Sequence, residues 1–223
     1  LEQGRGGAPA AELLGRIADG LMLTESEREP LFMLGLGHPP GVRYKATEGV
    51  TPRLQRVLDA LEASPAIVKT ALWDVVAWNR AAAAVLTDYS KLPPSERNIL
   101  RLLFSDSRVR AAQPDWQRVA RFVVGAFRAD ATRAGAGAEI DRFVDEMSRL
   151  SPEFEKLWLA NDVHAYGEGV KRLRHAELGL LELEFSAFGV DGRSDLGMIV
   201  FNPVKAKDAQ RLRAYIEARA AAA

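Results

Sequence analysis

The sequence has 223 residues, enough for one sizeable domain and a smaller appendage. Apolar residues make up 48% of it, and 30 basic residues balance 30 acidic ones, so a chain devoted to nucleic-acid binding is not expected. The absence of cysteine excludes disulfides and thiolate chemistry, and no apolar run approaches the roughly 20 residues of a membrane span. We therefore expect a cytoplasmic protein with no membrane partner.

The first part of the chain, residues 1–36, is predicted to hold two short helices. Helical spacing of apolar residues leads up to Gly20, which is well placed to end the first helix. Thr24 and Glu27 have the spacing of a capping box at the start of the second helix. Residues 37–50 are rich in glycine and proline and are predicted to be a linker.

The remaining residues, 51–223, are predicted to form one α+β domain. Two short strands within residues 66–78 precede a block of about five helices, including one over residues 95–104. Three strands between residues 170 and 201 follow, and a last helix closes the chain. An antiparallel sheet with helices packed on one face is the layer architecture that fits this order.

Residues suited to catalysis or metal binding form no recognisable motif. His38, His164 and His175 lack second ligands at i+3 or i+4, as zinc sites on helices require. The glycine-rich residues 135–137 follow a helix, whereas a phosphate-binding loop follows a strand. No Gly-x-Ser-x-Gly motif is present. We therefore expect no catalytic residue, no metal ion and no cofactor, and we do not expect an enzyme.

Three segments leave alternatives open. The basic run at residues 171–175 is either a solvated strand or a patch that meets an anion or a DNA phosphate. Trp73 and Trp78 flank a strand that ends at Asn79, and these aromatic residues either fill the core or line a site. Arg101 lies among leucines on a predicted helix. It is either an edge residue whose charge reaches water or an anion clamp at the mouth of an apolar cavity.

Several stretches resemble the C-terminal domain of MmyB-like regulators, a group within the XRE family of helix-turn-helix proteins. In order along the chain they are LWDVVAWN at 72–79, LPPSERNILRLLF at 92–104, DW at 115–116, SPEF at 151–154 with LW at 157–158, DVH at 162–164 and KRLRHAELG at 171–179. The resemblance implies a PAS-like fold that binds a small apolar ligand such as a fatty acid. Residues 1–36 resemble the C-terminal remnant of the family's DNA-binding domain.

The resemblance and the apolar pattern together lead us to expect a pocket between the sheet and the central helices. Its expected apolar lining is Trp73, Val75, Leu86, Leu100, Leu103, Phe104, Phe122 and Phe127. The polar end of the ligand is expected to meet Asn79 and Arg101, supported by Arg97 and Asn98. Alternatively, Asn79 caps its helix and Arg101 pairs with an internal acid such as Asp74 or Glu96.

The function implied is that of a DNA-binding transcription regulator whose PAS-like domain senses an amphipathic, fatty-acid-like small molecule. Its partners would be that ligand and DNA, the latter through a helix-turn-helix domain, and a homodimer with a second copy of the chain is compatible with the fold. Because most of the recognition helix is absent from this sequence, specific DNA binding by this chain is not expected. The alternative is a PAS-like interaction or dimerisation module with a filled core and no small-molecule ligand.

Overall fold

Helices and one antiparallel sheet make up a computed structural model that describes residues 10–37, 40, 49–133, 137–160, 167–191 and 193–221. The helices are α1 (Ala11–Gly20), α2 (Glu25–Leu36), α3 (Pro52–Ala60), α4 (Arg80–Val85), α5 (Ile99–Ser105), α6 (Ser107–Ala111), α7 (Trp116–Arg133), α8 (Ala138–Leu150), α9 (Pro152–Leu159) and α10 (Ala206–Ala221). The strands are β1 (Ala66–Thr70), β2 (Val75–Trp78), β3 (Glu168–His175), β4 (Gly179–Val190) and β5 (Arg193–Pro203). Short 3-10 turns occupy Tyr89–Lys91 and Pro94–Glu96. The chain divides into two units, Leu1–Arg43 and Tyr44–Ala223.

The first unit contains the helix pair α1 and α2. Leu14 and Phe32 are buried in it. Gly35 of α2 approaches α1 so closely that a Cβ atom there would lie 2.6 Å from Leu14 Cδ1. The predicted capping box is confirmed, because the Thr24 backbone N–H donates to Glu27 Oε2 at 2.8 Å. Most of the predicted linker lies outside the described residues, as do His38 and His164.

The sheet of the second unit has the strand order β2-β1-β5-β4-β3, and each neighbouring pair is antiparallel. Two strands, a helical block, three strands and one helix follow one another as predicted, so the α+β class is confirmed. One sheet face packs Leu183 and Phe201 against the helical block, and the other packs Val68 against Leu58 of α3. The interior strand β1, between β2 and β5, is therefore buried throughout, which suits its β-branched residues.

The helix predicted over residues 95–104 begins only at Ile99. Arg97 and Asn98 are part of an extended segment instead, because the Val75 N–H donates to the Arg97 carbonyl at 2.6 Å and the Ile99 N–H donates to the Trp73 carbonyl at 3.0 Å. Arg97 and Asn98 are therefore not part of the helix that carries Arg101, and the predicted start of that helix is wrong. Helix α6, capped by Asp106, does not follow from the sequence pattern.

Candidate ligand-binding site

A cavity of about 310 Å³ lies between the sheet and the helical block and is partly open to solvent. Strands β1 and β3–β5 form one wall, and helices α5–α7 with the segment that follows α4 form the other. Its volume is at the lower end of the range of about 300–1,000 Å³ found for small-molecule pockets. Most of the residues that line it are aliphatic or aromatic, so the cavity suits an apolar molecule of modest size.

Three phenylalanines from different elements form the aromatic part of the cavity wall. The ring centroids of Phe122 on α7 and Phe185 on β4 are 5.9 Å apart, and those of Phe185 and Phe201 are 6.2 Å apart. Gly169, paired with Phe185 across β3 and β4, makes room for the central ring, because a Cβ atom at Gly169 would lie 2.8 Å from two of its carbon atoms. The position of this ring therefore depends on a glycine.

The polar residues of the cavity lining come from four parts of the fold. They are Thr87, Tyr89, Gln113, Arg118 and Lys171. Burial raises the pKa of Tyr89, and a hydrogen bond with the Thr87 side chain opposes this only in part. The Tyr89 phenol is therefore neutral at physiological pH. The Gln113 amide donates to the Val109 carbonyl at 3.4 Å, while its buried Oε1 accepts no hydrogen bond from the described residues.

Lys171 contributes a positive charge to this lining. It lies on β3 opposite Leu183, and its side chain shares the inner face of the strand with Gly169 and the buried Leu173. Burial lowers the pKa of Lys171 to about 8, because removal from water disfavours the charged ammonium. Of the two interpretations of the basic run, the solvated strand describes Arg172 and Arg174, which are exposed, but not Lys171.

The Trp73 side chain lines the cavity at the turn between β1 and β2. Its backbone has φ of 65°, a left-handed conformation that is uncommon for a bulky residue. The indole N–H donates to Asp130 Oδ2 at 2.8 Å, and the same oxygen lies 2.7 Å from Lys69 Nζ. Lys69 Nζ is also 4.6 Å from the centroid of the Trp73 ring. The strained turn is thus tied to α7 by a nearly buried ion pair.

Of the expected apolar residues, Trp73, Leu86, Leu103 and Phe122 line the cavity. The structure places the other four elsewhere. Phe104 packs edge to face on Trp116 and Phe154, with ring centroids 5.5 Å apart in both pairs. Phe127 contacts the rings of Phe143 and Trp158, and Val75 and Leu100 are buried outside the lining. On the short helix α5, Leu102 and Leu103 face the cavity, whereas Leu100 and Phe104 share a different face.

Asn79 is expected from the sequence to hold the polar end of the ligand, but its side chain is committed to the protein. Its Oδ1 accepts from the backbone N–H groups of Ala66 and Ala82 at 3.0 and 2.8 Å. Its Nδ2 donates to the carbonyls of Leu58, Leu61 and Ser64, at 3.2, 2.8 and 2.8 Å. Asn79 therefore caps α4 and joins it to the end of α3, which agrees with the structural alternative.

The other three residues expected at the polar end also lie outside the cavity lining. Arg101 makes a bidentate ion pair with Glu146 of α8, with N–O distances of 2.6 and 2.7 Å. Its partner is thus an acid, although neither Asp74 nor Glu96. Asn98 caps α5 and donates to Asp74 Oδ1 at 2.8 Å, and Arg97 donates to the Leu92 carbonyl at 3.0 Å. These contacts hold the loop before α5 and direct its polar groups to the protein instead of a ligand.

Lys171 and Gln113 are two of the polar lining residues that sequence reasoning missed. Strand alternation carries a signal for Lys171, because it has the parity of the apolar Leu173 while its basic neighbours have the other parity. No comparable signal exists for Gln113, which precedes Pro114 beyond the unpredicted helix α6. Its position becomes apparent only in the structure, where the Arg174 N–H donates to the Ala112 carbonyl at 2.8 Å and joins β3 to that segment.

Comparison with known protein families matches residues 50–214 to the MmyB-like transcription regulator ligand binding domain. No curated protein matches the sequence.

Within the part of the chain that the structure describes, no helix has the length and apolar character needed to cross a membrane. The same described residues contain no cluster of three or more histidine, aspartate or glutamate side chains placed to hold a metal ion.

Proposed function

Because the chain belongs to the family of MmyB-like transcription regulators, we propose that its cavity binds an amphipathic, fatty-acid-like molecule and that this binding controls DNA binding by the regulator. The observation that carries the proposal is the mostly apolar cavity of about 310 Å³ with few polar groups in its wall. That composition is typical of sites that bind small molecules by burying them.

The lining supports binding without turnover. Catalysis of acyl or proton transfer needs a nucleophile or a general base held by a partner. Among the described residues that line the cavity there is no histidine, serine, aspartate or glutamate. Its titratable residues are Tyr89, Lys171 and Arg118, and none of them is held in a nucleophile–base pair with another described residue of the lining. We therefore propose a sensor and not an enzyme.

The alternative function, an interaction module without a ligand, requires a filled core. The cavity is evidence against this alternative, because a cavity of this size lowers the stability that a fully packed core would have. Dimerisation is compatible with either function and does not distinguish them.

Native mass spectrometry of the protein purified from cells tests the ligand proposal. We expect a bound molecule that organic solvent extracts as an amphipathic compound. Val123→Phe, which places a ring in the cavity wall, should remove this adduct and leave the melting temperature nearly unchanged. The matched control is Val57→Phe, at an exposed position on α3 outside the cavity, and it should keep the adduct. A wild-type protein without any adduct, which also fails to bind added fatty acids, would favour the interaction module.

A series of added fatty acids tests the fit. Each methylene buried in an apolar site contributes about 0.8 kcal/mol, or about fourfold in affinity. We expect the affinity to rise from hexanoate upwards at this rate and to stop rising once the cavity is full. Promoter occupancy in cells tests whether ligand binding controls DNA binding. It should change when the same fatty acid is supplied.

A further inference from the structure

The cavity has a positive charge without a counter-charge. Lys171 lines it and has no hydrogen-bond or ion-pair partner among the described residues. Two other lysines of the domain are paired with acids, Lys69 with Asp130 and Lys205 with Glu182, both at 2.7 Å. A partly buried cation without a partner is unfavourable, since it has lost water without gaining a compensating interaction.

The surroundings of Lys171 are suited to an anion that arrives from outside. The other charged residue in the lining is Arg118, on α7, and it is exposed. Tyr89 is neutral because burial raises its pKa. No acidic side chain is present among the described lining residues. The acids of β4 do not compensate either, since Glu182 pairs with Arg172 and Lys205, and Glu184 is exposed. The cavity therefore has a net positive charge on an apolar wall.

Building on the function proposed above, we propose that Lys171 binds the anionic end of the ligand and makes the domain selective for carboxylates over neutral molecules of the same length. The apolar part of the ligand would then lie against the phenylalanines that line the cavity, Phe122, Phe185 and Phe201. This places the polar end of the ligand on β3 and not at the start of α4 or on α5. An ammonium on a flexible stem suits this role, since it can follow a carboxylate as the chain settles in the cavity.

Two substitutions on β3 separate the charge of Lys171 from the stability of the strand. Lys171→Met keeps an unbranched side chain and removes the charge. Arg172→Met is the matched control, because it changes the next residue on the same strand, whose side chain points out of the cavity and pairs with Glu182. Lys171→Arg retains the charge. Binding is measured by calorimetry with decanoate and with decanol, which have the same chain but differ in the charge of the head.

We expect the unchanged protein to prefer decanoate. Lys171→Met should weaken decanoate binding by about 10- to 100-fold, the range for a charge-assisted hydrogen bond, and should leave decanol binding unchanged or stronger. Arg172→Met should change neither affinity, and Lys171→Arg should keep most of the preference for decanoate. Equal losses for both ligands in a folded Lys171→Met protein would make Lys171 a packing residue and overturn the proposal.

A second measurement needs no variant, in case Lys171→Met does not fold. The preference of the unchanged protein for decanoate over decanol should disappear in alkaline solution, and a preference that persists there contradicts the proposal. Failure of the proposed function itself has a different result: neither decanoate nor decanol would bind to the unchanged protein. If the unchanged protein binds decanoate and decanol with equal affinity, the proposed function stands and the proposed role of Lys171 is contradicted.

Discussion

At the scale of single residues, the proposed role of Lys171 would make ligand binding depend on pH. Burial lowers its pKa to about 8 from an ordinary value of 10.5. A bound carboxylate would favour the protonated form and raise this pKa again, so binding would take up a proton whenever the free protein has lost it. Tyr89, which also lines the cavity, does not interfere, because burial raises its pKa and keeps the phenol neutral near this pH.

The first prediction follows from this linkage. Decanoate affinity should be constant below pH 8 and should fall by up to about tenfold per pH unit above it, as the free protein loses the Lys171 proton. Calorimetry across this range measures the effect. Decanol affinity should not fall, and in Lys171→Met the decanoate curve should be flat. A fall of the same slope in that variant would assign the titration to another group.

The same pKa has a consequence for the ligand-free fold. The folded-state pKa of Lys171 is below the unfolded value, so between about pH 8 and 10.5 the unfolded chain binds more protons than the folded chain. The contribution of Lys171 to the free energy of unfolding should therefore increase as pH rises through this range. Below pH 8 both states carry the proton, and the fold bears the whole cost of the buried charge.

Asn79 shows why the position of a residue in a sequence motif does not by itself establish contact with a ligand. The sequence pattern correctly places it at a strand end and a helix start, where an N-cap asparagine is predicted. The pattern cannot show that the carbonyls of Leu58, Leu61 and Ser64 lie within reach, because that depends on how α3 folds back onto β2. The structure uses all the hydrogen-bonding capacity of the amide.

The second prediction concerns this residue. Asn79→Ala should lower the free energy of unfolding by about 2–4 kcal/mol, since it removes a helix cap and leaves several buried backbone groups without partners. Chemical denaturation measures this loss. Decanoate affinity of the protein that remains folded should be unchanged, because Asn79 does not line the cavity. A variant that is as stable as the unchanged protein but binds decanoate more weakly would show that Asn79 contributes to the ligand site.

At the scale of elements, the succession of strands along the chain was predictable and the start of α5 was not. Alternation and turn residues predict the strands of the sheet, because these are local signals. Whether residues 95–98 are helical depends instead on the bridge between Asp74 and Asn98, a contact between segments well separated in sequence. The local pattern continues the helix through these residues, and so it places Arg97 and Asn98 on a face that does not exist. Both side chains bond to the protein and do not line the cavity.

The third prediction concerns the pairing of β3 with β4. Gly169→Ala should push the Phe185 ring towards the cavity, because the added Cβ would lie 2.8 Å from it. We expect decanoate binding to weaken by about 1–3 kcal/mol, the usual cost of overpacking, with a smaller effect on stability because the ring can turn into the void. Gly189→Ala on β4 is the matched control, since a Cβ atom added there would have no neighbouring atom within 4 Å. Equal effects of both changes on binding would exclude a specific role for Gly169.

At the scale of the whole molecule, the chain consists of two units, and the cavity lies entirely within the second, Tyr44–Ala223. The match to the ligand-binding family, residues 50–214, falls within the same unit. Length and composition predict a large domain with a small appendage, and the resemblance predicts the kind of domain. The volume of the cavity could not be predicted, because it depends on how closely side chains from many elements of the fold approach one another.

The fourth prediction is that residues 44–223, produced alone, bind decanoate with the affinity of the full chain. A ligand at about a hundred times its dissociation constant stabilises a folded protein by about 2.7 kcal/mol, so a thermal shift detects binding in both forms. The shifts should be equal at equal ligand concentration. A loss of binding in the shorter form would mean that the first unit contributes to the site.

The position of β1 in the sheet also bears on when the protein can respond during its own synthesis. Its residue Ile67 pairs with Trp78 on one side and with Ile199 on the other. The second partner leaves the ribosome long after the first, and β3–β5, which carry Lys171 and Phe185, are also made late. A nascent chain thus has the helical half of the cavity but not its charged wall. Under the function proposed above, the chain would therefore respond to its ligand only after β3–β5 have been synthesised.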